Sequence, residues 1–142
     1  MVKATILIVE DSPDISQPLA DAFRFADFGV LQAYTAIEAL QFASEHRPDL
    51  ILMDIQLPDL DGLSVAATLK SDPTTQHIPI VAMTAYEVVG DQARAISRTC
   101  VGYAQKPTRP RDLINLASAI LKLQGDPDPR PRKGAPAKPS RH

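Results

Sequence analysis

Five short, largely apolar runs, separated by segments with helical periodicity, constrain the fold of this chain more than any other feature. The runs are rich in β-branched residues and span Thr5–Val9, Val30–Tyr34, Leu50–Asp54, Ile78–Met83 and Val101–Ala104. The first, third and fourth runs contain stretches that are continuously apolar instead of alternating with polar residues. Such stretches are typical of parallel strands that are covered on both faces.

The segments between the runs carry apolar residues at the spacing of one helix face. The five stripes are Ile15, Leu19, Ala22, Phe23 and Ala26; Ile37, Leu40 and Ala43; Leu63, Ala66, Ala67 and Leu69; Val89, Ala93 and Ile96; and Leu113, Leu116, Ala117 and Ile120. Strand–helix alternation repeated in this way predicts an α/β fold, a (βα)5 doubly wound sheet. Its strands are parallel because the crossovers are right-handed.

Helix start signals agree with this layout. Ser12, Thr35 and Thr108 each place a capping hydroxyl ahead of a helical segment. Pro18 fits less well, because it lies beyond the first turn of a helix that begins at Ser12, where proline removes a backbone hydrogen bond. We predict a kink at Pro18; a later start near Ser16 is the alternative.

The length of 142 residues fits one folded domain with a sizeable core. The N-terminus lacks the layout of a secretion signal, and no apolar run is long enough to span a bilayer. The single cysteine, Cys100, excludes an internal disulfide and fits a reducing compartment. We therefore expect a cytoplasmic protein that does not enter a membrane, with Cys100 as part of its core.

The C-terminal segment 125–142 differs in composition from the rest. It is rich in proline, arginine and lysine, contains no large apolar residue and carries a net charge of +3, whereas residues 1–124 carry −5. Such a segment cannot bury enough apolar surface to offset its ordering entropy, so we expect a disordered or extended tail. The acidic body argues against direct DNA binding, which needs clustered cations.

Carboxylates follow two of the predicted strands. Glu10 and Asp11 come directly after the first strand, and Asp54 ends the third. Because sites in open parallel sheets form at the carboxyl ends of the strands, neighbouring first and third strands would bring the three together. Such a cluster calls for a cation, and Mg²⁺ suits oxygen ligands with room for water. The alternative is that each residue only begins a loop or caps a turn.

The fourth and fifth strands end with residues that suit a phosphoryl group. Thr84 offers a hydroxyl, and Ala85 after it is small enough to leave the site open. Lys106, before Pro107, places a cation beside the carboxylates. A phosphoryl group on Asp54 would need such donors for its charge and its oxygens.

Taken in order, these motifs resemble a response-regulator receiver domain of the CheY-like single-domain family. They are Ile8-Val9-Glu10-Asp11, Leu52-Met53-Asp54-Ile55-Gln56-Leu57-Pro58 with Gly62, Met83-Thr84-Ala85 and Tyr103-Ala104-Gln105-Lys106-Pro107. The resemblance runs from residue 4 to about 123, so residues 1–124 would form the receiver domain. It implies the flavodoxin-like strand order 2-1-3-4-5.

The resemblance also implies the chemistry. Asp54 would accept a phosphoryl group from the phosphohistidine of a sensor histidine kinase or a phosphotransfer protein. Asp11 would bind Mg²⁺ directly together with Asp54 and the main-chain carbonyl of Gln56, and Glu10 would act mainly through water. The domain would catalyse only its own phosphotransfer and slow autodephosphorylation, as a signalling domain and not an enzyme.

Further roles follow from the same resemblance. Lys106 would neutralise the phosphoryl charge and precede a cis Pro107. Thr84, next to Ala85, and Tyr103 would form a switch: the hydroxyl moves onto the phosphoryl oxygen and the ring swings inward behind it. Thr99 stands where the family usually has glycine, so we expect a different end to the fourth helix.

A phosphatase of the haloacid-dehalogenase type is the main rival, since it also uses a strand-end aspartate. Such enzymes need a second aspartate two residues on, where this chain has Gln56, which cannot transfer protons usefully. Nucleotide enzymes are less favoured because the chain has no GxxxxGK[ST] or GxGxxG motif. The aspartyl phosphate should therefore persist, and a bulky Tyr86 at the rim could prolong it further.

No output domain is expected after the fifth helix, so the signal would pass to an unknown downstream protein. The chain could be a diffusible regulator, a phosphorelay intermediate or a phosphate sink. Ile114, Leu121 and Leu123 on the fifth helix and Phe25 and Phe28 near the first exceed what the core stripes need. We predict a homodimer that uses the fifth helix; a kinase dock, or rim residues covered by loops, are the alternatives.

Overall fold

The computed structural model describes residues 2–85 and 87–124. The elements are β1 Thr5–Val9, α1 Pro13–Phe25, β2 Gly29–Ala33, α2 Ala36–His46, β3 Leu50–Asp54, α3 Gly62–Ser71, β4 Ile80–Thr84, α4 Gly90–Thr99, β5 Gly102–Gln105 and α5 Pro110–Gln124. All strand pairs are parallel and the sheet order is β2-β1-β3-β4-β5. The α/β fold and the strand order 2-1-3-4-5 are confirmed.

The sheet is covered on both faces, as the continuous apolar runs predict. On one face, α1 and α5 pack together against alternate residues of the central strands, such as Ile8 and Leu52. On the other face, α2, α3 and α4 cover the residues of opposite parity, such as Leu7, Ile51 and Ala82. The core therefore lies in two layers, and each strand residue belongs to one of them.

Strand ends differ from the predicted bounds by one or two residues. The fourth strand begins at Ile80 and not at Ile78, because the amide of Ile78 donates to Thr75 and Pro79 has no amide to donate. The second ends at Ala33 and not at Tyr34, whose amide donates to the side chain of Glu38. These shifts leave the order and the layering unchanged.

Two of the predicted caps differ in detail. Helix α1 begins at Pro13 and continues through Pro18, so a late start near Ser16 is wrong, although Ser12 caps it through its carbonyl and not its hydroxyl. Helix α5 begins at Pro110, and the carbonyl of Arg109 accepts its first hydrogen bonds, so Thr108 is not the capping residue.

The C-terminal end of α4 lacks the glycine that commonly ends a helix. Helix α4 ends at Thr99 and passes into an extended Cys100 without a left-handed residue, the different end expected from Thr99. Cys100 is half-buried and packs against the core of the α2–α4 face, and this burial raises the pKa of its thiol.

The apolar residues singled out near α1 and on α5 divide into two groups. Phe28 is buried and packs edge-on against Phe23, so it belongs to the core and not to a surface. Ile114 and Leu121 are partly buried against the same core. Phe25 and Leu123 remain exposed, at 92% and 84% of their surface.

Two predictions concern residues outside those that the structure describes. They are the disordered or extended tail 125–142 and the effect of Tyr86 at the rim of the site. In the described part of the chain, no helix has both the length and the apolar character needed to cross a bilayer.

Candidate functional site

The predicted carboxylates meet at the carboxyl end of the sheet. Strands β1 and β3 are neighbours in register, with Val9 opposite Met53, so Glu10 and Asp54 lie side by side. Carboxylate oxygens of Glu10, Asp11 and Asp54 all lie within 4.8 Å of one another. Glu10 and Asp54 are buried and Asp11 is exposed, so the cluster opens to solvent on one side.

Lys106, which follows the edge strand β5, completes the cluster. Its amide donates to the carbonyl of Thr84 (2.6 Å), which continues the pairing of β4 with β5 and aims the side chain at the carboxylates. The Nζ atom donates to Oε1 of Glu10 (2.6 Å) and to Oδ2 of Asp54 (2.9 Å). The Lys106–Pro107 peptide bond is cis.

The charges in this cluster depend on one another. Burial raises the pKa of Glu10, and the charge of Asp54 adds to the rise, against the lowering effect of the hydrogen bond from Lys106. Burial alone would lower the pKa of Lys106, but its bonds to Glu10 and Asp54 outweigh burial and raise it. Lys106 is therefore held as a cation between two buried carboxylates.

The donor set fits a hard divalent cation. Three carboxylates lie within the reach of one ion, and one lysine cannot balance their combined charge. The ligand atoms are oxygens and the exposed Asp11 leaves room for water, which matches the preference of Mg²⁺ for a few carboxylates and several waters. Asp11, Asp54 and Glu10 are the residues that would hold it.

The loop after Asp54 is tied to the carboxylate of Asp54 itself. The amide of Gln56 donates to Oδ1 of Asp54 (2.9 Å), so the two oxygens of that carboxylate each accept a hydrogen bond, from Gln56 and from Lys106. Gln56 also pairs with Asp61 in an isolated antiparallel bridge, and the amide of Gly62 donates to the carbonyl of Ile55 (2.7 Å). These bonds close the loop at its base.

Gly62 allows this closure. A Cβ atom at Gly62 would lie 2.4 Å from the carbonyl oxygen of Asp54 and 2.7 Å from the Cα of Ile55. The first residue of α3 can therefore approach the end of β3 only as glycine. The glycine that the motif includes thus has a steric role beside Asp54.

The predicted switch residues share one face of the sheet. Tyr103 is opposite Ala82 on β4, and Thr84 lies two residues further along that strand, on the α4 side. Thr84 is fully buried, Tyr103 is 51% exposed, and Ala85 is exposed at the strand end. Tyr103 lines a cavity of about 430 Å³ between α4 and β5, with Ile96 and Cys100 in its wall.

An apolar groove of about 490 Å³ adjoins the acidic cluster on the α1–α5 face. Its lining includes Ile15, Pro18, Leu19, Pro107 and Leu113, with Lys106 and Ala85 on the side of the cluster. Ile15 was expected in the core, but its side chain is 45% exposed and faces this groove. The groove forms where α1 lies next to the segment before α5. The sequence pattern does not predict that these two segments are neighbours.

Sequence reasoning missed two contacts of the site. It placed Lys106 beside the carboxylates but did not predict that its ammonium pairs directly with Glu10. It also passed over Asp59, whose carboxylate accepts hydrogen bonds from the first amides of α2. The Asp at position 59 follows Pro58 in a turn-like stretch, a signal for a loop but not for its partner.

Comparisons with known proteins agree with this geometry. A family model described as the response regulator receiver domain matches residues 6–118. The polar-differentiation response regulator DivK of Brucella anthropi is 41% identical over 103 residues, covering 72% of this chain and 84% of that protein. Its counterpart in Brucella ovis is 40% identical over the same length.

Solved structures show the same fold. The CheY-like receiver domain protein of Methanospirillum hungatei superposes with a TM-score of 0.80 at 26% identity, covering 87% of this chain and 97% of that one. The receiver domain of a sensor histidine kinase from Pseudomonas aeruginosa, solved with a magnesium ion coordinated in the active-site cleft, gives 0.76 at 28% identity over 84% and 98%. The extent of the family match and the identity to these relatives show that this chain belongs to the response regulator receiver domain family.

Proposed function

We propose that this chain is a response regulator of a two-component system that accepts a phosphoryl group on Asp54 from a histidine kinase. The observation that carries the proposal is the constellation around Asp54. This buried strand-end carboxylate is hydrogen-bonded to Lys106 and lies within one ion's reach of Glu10 and Asp11. It is the arrangement that a phosphoryl acceptor needs.

The reaction is a displacement at phosphorus. A carboxylate oxygen of Asp54 forms a bond to the phosphorus of a phosphohistidine, the P–N bond breaks, and its electron pair returns to the imidazole nitrogen. When bound by Asp11, Asp54 and the Gln56 carbonyl, with Glu10 acting through water, Mg²⁺ supplies positive charge for the phosphoryl oxygens. Lys106 can turn its ammonium from Glu10 to the new phosphoryl oxygens on Asp54, since its Nζ already contacts both residues.

Persistence of the product follows from the side chain at position 56. An amide cannot take a proton from an attacking water, so Gln56 gives hydrolysis no general base. The protein therefore signals through a stable acyl phosphate and does not turn over a phosphoester substrate.

The apolar groove supports a protein as phosphodonor. It lies beside Lys106 and is walled by α1 and the start of α5. A helix or loop that carries the phosphohistidine of a kinase or phosphotransfer protein can bury apolar side chains there while its imidazole faces Asp54.

The switch is the second part of the proposal. Thr84 moves onto the phosphoryl oxygen, and the Tyr103 ring follows into the cavity beside α4, which has room for it. The altered α4–β5 face then binds a downstream protein, or Asp54 passes the phosphoryl group on in a phosphorelay. In NMR spectra of ring-labelled tyrosine, beryllofluoride should shift the Tyr103 signal in the parent and not in Thr84→Ala. Equal shifts in both would exclude this coupling.

The proposed reaction is tested by phosphorylation with a small donor. The parent, incubated with Mg²⁺ and acetyl phosphate, should gain one phosphoryl group by mass and shift in a phosphate-affinity gel, and a chelator should prevent this. Asp54→Asn should stay unmodified. Asp49→Asn is the matched control, because Asp49 precedes the other end of β3 and accepts a bond from the amide of Thr5. Modification of Asp54→Asn to the parent's level would refute the proposal.

A further inference from the structure

Asp59 joins the loop after the phosphoacceptor to the start of α2. Its Oδ1 accepts a hydrogen bond from the amide of Ala36 (2.8 Å), and its Oδ2 accepts one from the amide of Ile37 (3.1 Å). The partners are more than twenty residues apart in the chain. The contact therefore joins the loop after β3 to a helix that is distant from it in the chain.

The amides that Asp59 accepts from are those that the helix cap does not serve. Thr35 accepts from Glu38 through its hydroxyl (3.1 Å) and from Ala39 through its carbonyl (3.0 Å). Ala36 and Ile37 are the remaining first-turn residues, whose amides have no partner within the helix. Because Ala36 is fully buried, its amide would lose more than a solvated group if Asp59 were removed.

Among the hydrogen bonds that the structure describes, the others that fix the loop between Asp54 and Gly62 lie at its base, and Leu57 packs against the core on the α2–α3 face. The base is closed by the bonds of Gln56 to Asp54 and of Gly62 to Ile55. Asp59 lies nearer the middle of the loop, and its anchor is on α2. Gln56, whose main-chain carbonyl is expected to face the metal, therefore belongs to a segment held at both places.

We propose that Asp59 is a positioning residue for the metal site. By tying the loop to α2, it holds the Gln56 carbonyl in the direction that serves Mg²⁺. The inference rests on the proposed function, since it concerns the same metal site, but it assigns a role to a residue that touches neither the phosphoryl group nor the ion.

A reciprocal effect follows from thermodynamic linkage. If the Asp59 contact strengthens Mg²⁺ binding, bound Mg²⁺ strengthens the contact by the same factor. The amide hydrogens of Ala36 and Ile37 should therefore exchange more slowly in the presence of Mg²⁺, although α2 carries none of the expected ligands.

The test compares Asp59→Ala, Asp59→Asn and a matched control, Asp72→Ala. Asp72 is also exposed, and its Oδ1 accepts from the amide and the hydroxyl of Thr74 (both 2.9 Å) at the far end of α3. Mg²⁺ affinity is measured by calorimetry, amide exchange at Ala36 and Ile37 by NMR with and without Mg²⁺, and stability by thermal unfolding. Asp59→Asn removes the same charge as alanine but keeps an acceptor oxygen, so it separates positioning from simple attraction of the cation.

We expect Asp59→Ala to weaken Mg²⁺ binding on the order of fivefold, the size of effect that loss of one hydrogen bond typically has. Asp59→Asn should lose less Mg²⁺ affinity than Asp59→Ala. Asp72→Ala should bind Mg²⁺ as tightly as the parent does, even if it is less stable. The Mg²⁺-dependent slowing of exchange at Ala36 and Ile37 should disappear in Asp59→Ala.

Three results would overturn the inference alone while the parent still binds Mg²⁺ and accepts phosphate. They are parent-like affinity in Asp59→Ala, an equal loss in Asp59→Asn and Asp59→Ala, or exchange at Ala36 and Ile37 that does not respond to Mg²⁺ in the parent. A parent that neither binds Mg²⁺ nor becomes phosphorylated would overturn the proposed function and this inference together.

Discussion

Lys106 is the residue on which two buried carboxylates depend. Its ammonium bonds to Glu10 and Asp54 and is itself only 19% exposed, so its removal leaves two buried negative charges facing each other. Lys106→Met should lower the free energy of unfolding by about 3 kcal/mol without metal, the usual cost of removing one partner of a buried ion pair. Mg²⁺ should then raise the melting temperature of this variant more than that of the parent, because the ammonium no longer competes with it.

The control for this prediction is Lys70→Met. Lys70 is also partly buried, but its Nζ donates to neutral carbonyls, those of Gln76 and Ile78. Its loss should lower stability without changing the gain that Mg²⁺ provides. A gain from Mg²⁺ in Lys106→Met that does not exceed the parent's would contradict the prediction.

For individual residues, the sequence predicted where a side chain lies better than it predicted which groups that side chain contacts. The strand-end motifs brought Glu10, Asp11 and Asp54 together because parallel strands in register leave little freedom at their ends. The sequence could not distinguish Phe25 from Phe28. Phe25 ends the helix and points to solvent, whereas the turn after α1 carries Phe28 back onto Phe23. Such a turn depends on tertiary packing that periodicity does not describe.

Between elements, α3 approaches the end of β3 closely at Gly62. Gly62→Ala would place a methyl group 2.4 Å from the carbonyl oxygen of Asp54, and backbone atoms cannot yield as a flexible side chain does. We expect Gly62→Ala to lower the free energy of unfolding by about 2 kcal/mol, which is typical of overpacking. This loss outweighs the stability that alanine usually adds to a helix relative to glycine. Phosphorylation of Asp54 should slow as well, since the strand end that carries it must move.

Gly102→Ala is the matched control, because a Cβ atom at that strand glycine has nothing within 4 Å. Its stability in a urea titration should stay within about 0.5 kcal/mol of the parent's. If Gly62→Ala unfolds at the same urea concentration as the parent, the steric account of this glycine is wrong.

Elements were predictable from sequence because their signals are local. Largely apolar, β-branched-rich runs identified the five strands, and Thr35 identified the start of α2, where its hydroxyl accepts from the amide of Glu38. Element ends were less predictable. Pro79 delays β4 by withholding an amide, and the carbonyl of Arg109, not the hydroxyl of Thr108, caps α5.

For the whole molecule, the exposed apolar residues at the ends of α1 and α5 bear on its assembly. Phe25 and Leu123 are each in the last turn of a helix of the same layer and are strongly exposed, whereas Ile114 and Leu121 pack inward. We propose that α5 forms the face of a homodimer. Light scattering should then show a dimer for the parent and a monomer for Leu123→Ser, because the substitution replaces the exposed apolar side chain at the end of α5 with a polar one.

Ile37→Ser provides the comparison for the dimer. Ile37 is 64% exposed, but it lies on α2, on the opposite face of the sheet, so its replacement should leave the dimer intact. A parent that is monomeric at high concentration, with and without a phosphate mimic, would exclude the dimer.

The cavity beside Tyr103 gives this protein a property of practical use. Cys100 lies in the wall of that cavity and is the chain's single cysteine. A fluorine-bearing or fluorescent reagent that reacts with thiols would therefore attach only at Cys100, next to the Tyr103 ring. No engineered cysteine would be needed. Because burial raises the pKa of the thiol, labelling would be slow near neutrality and faster at higher pH. The chain thus carries its own attachment point for a reporter of the movement proposed for Tyr103.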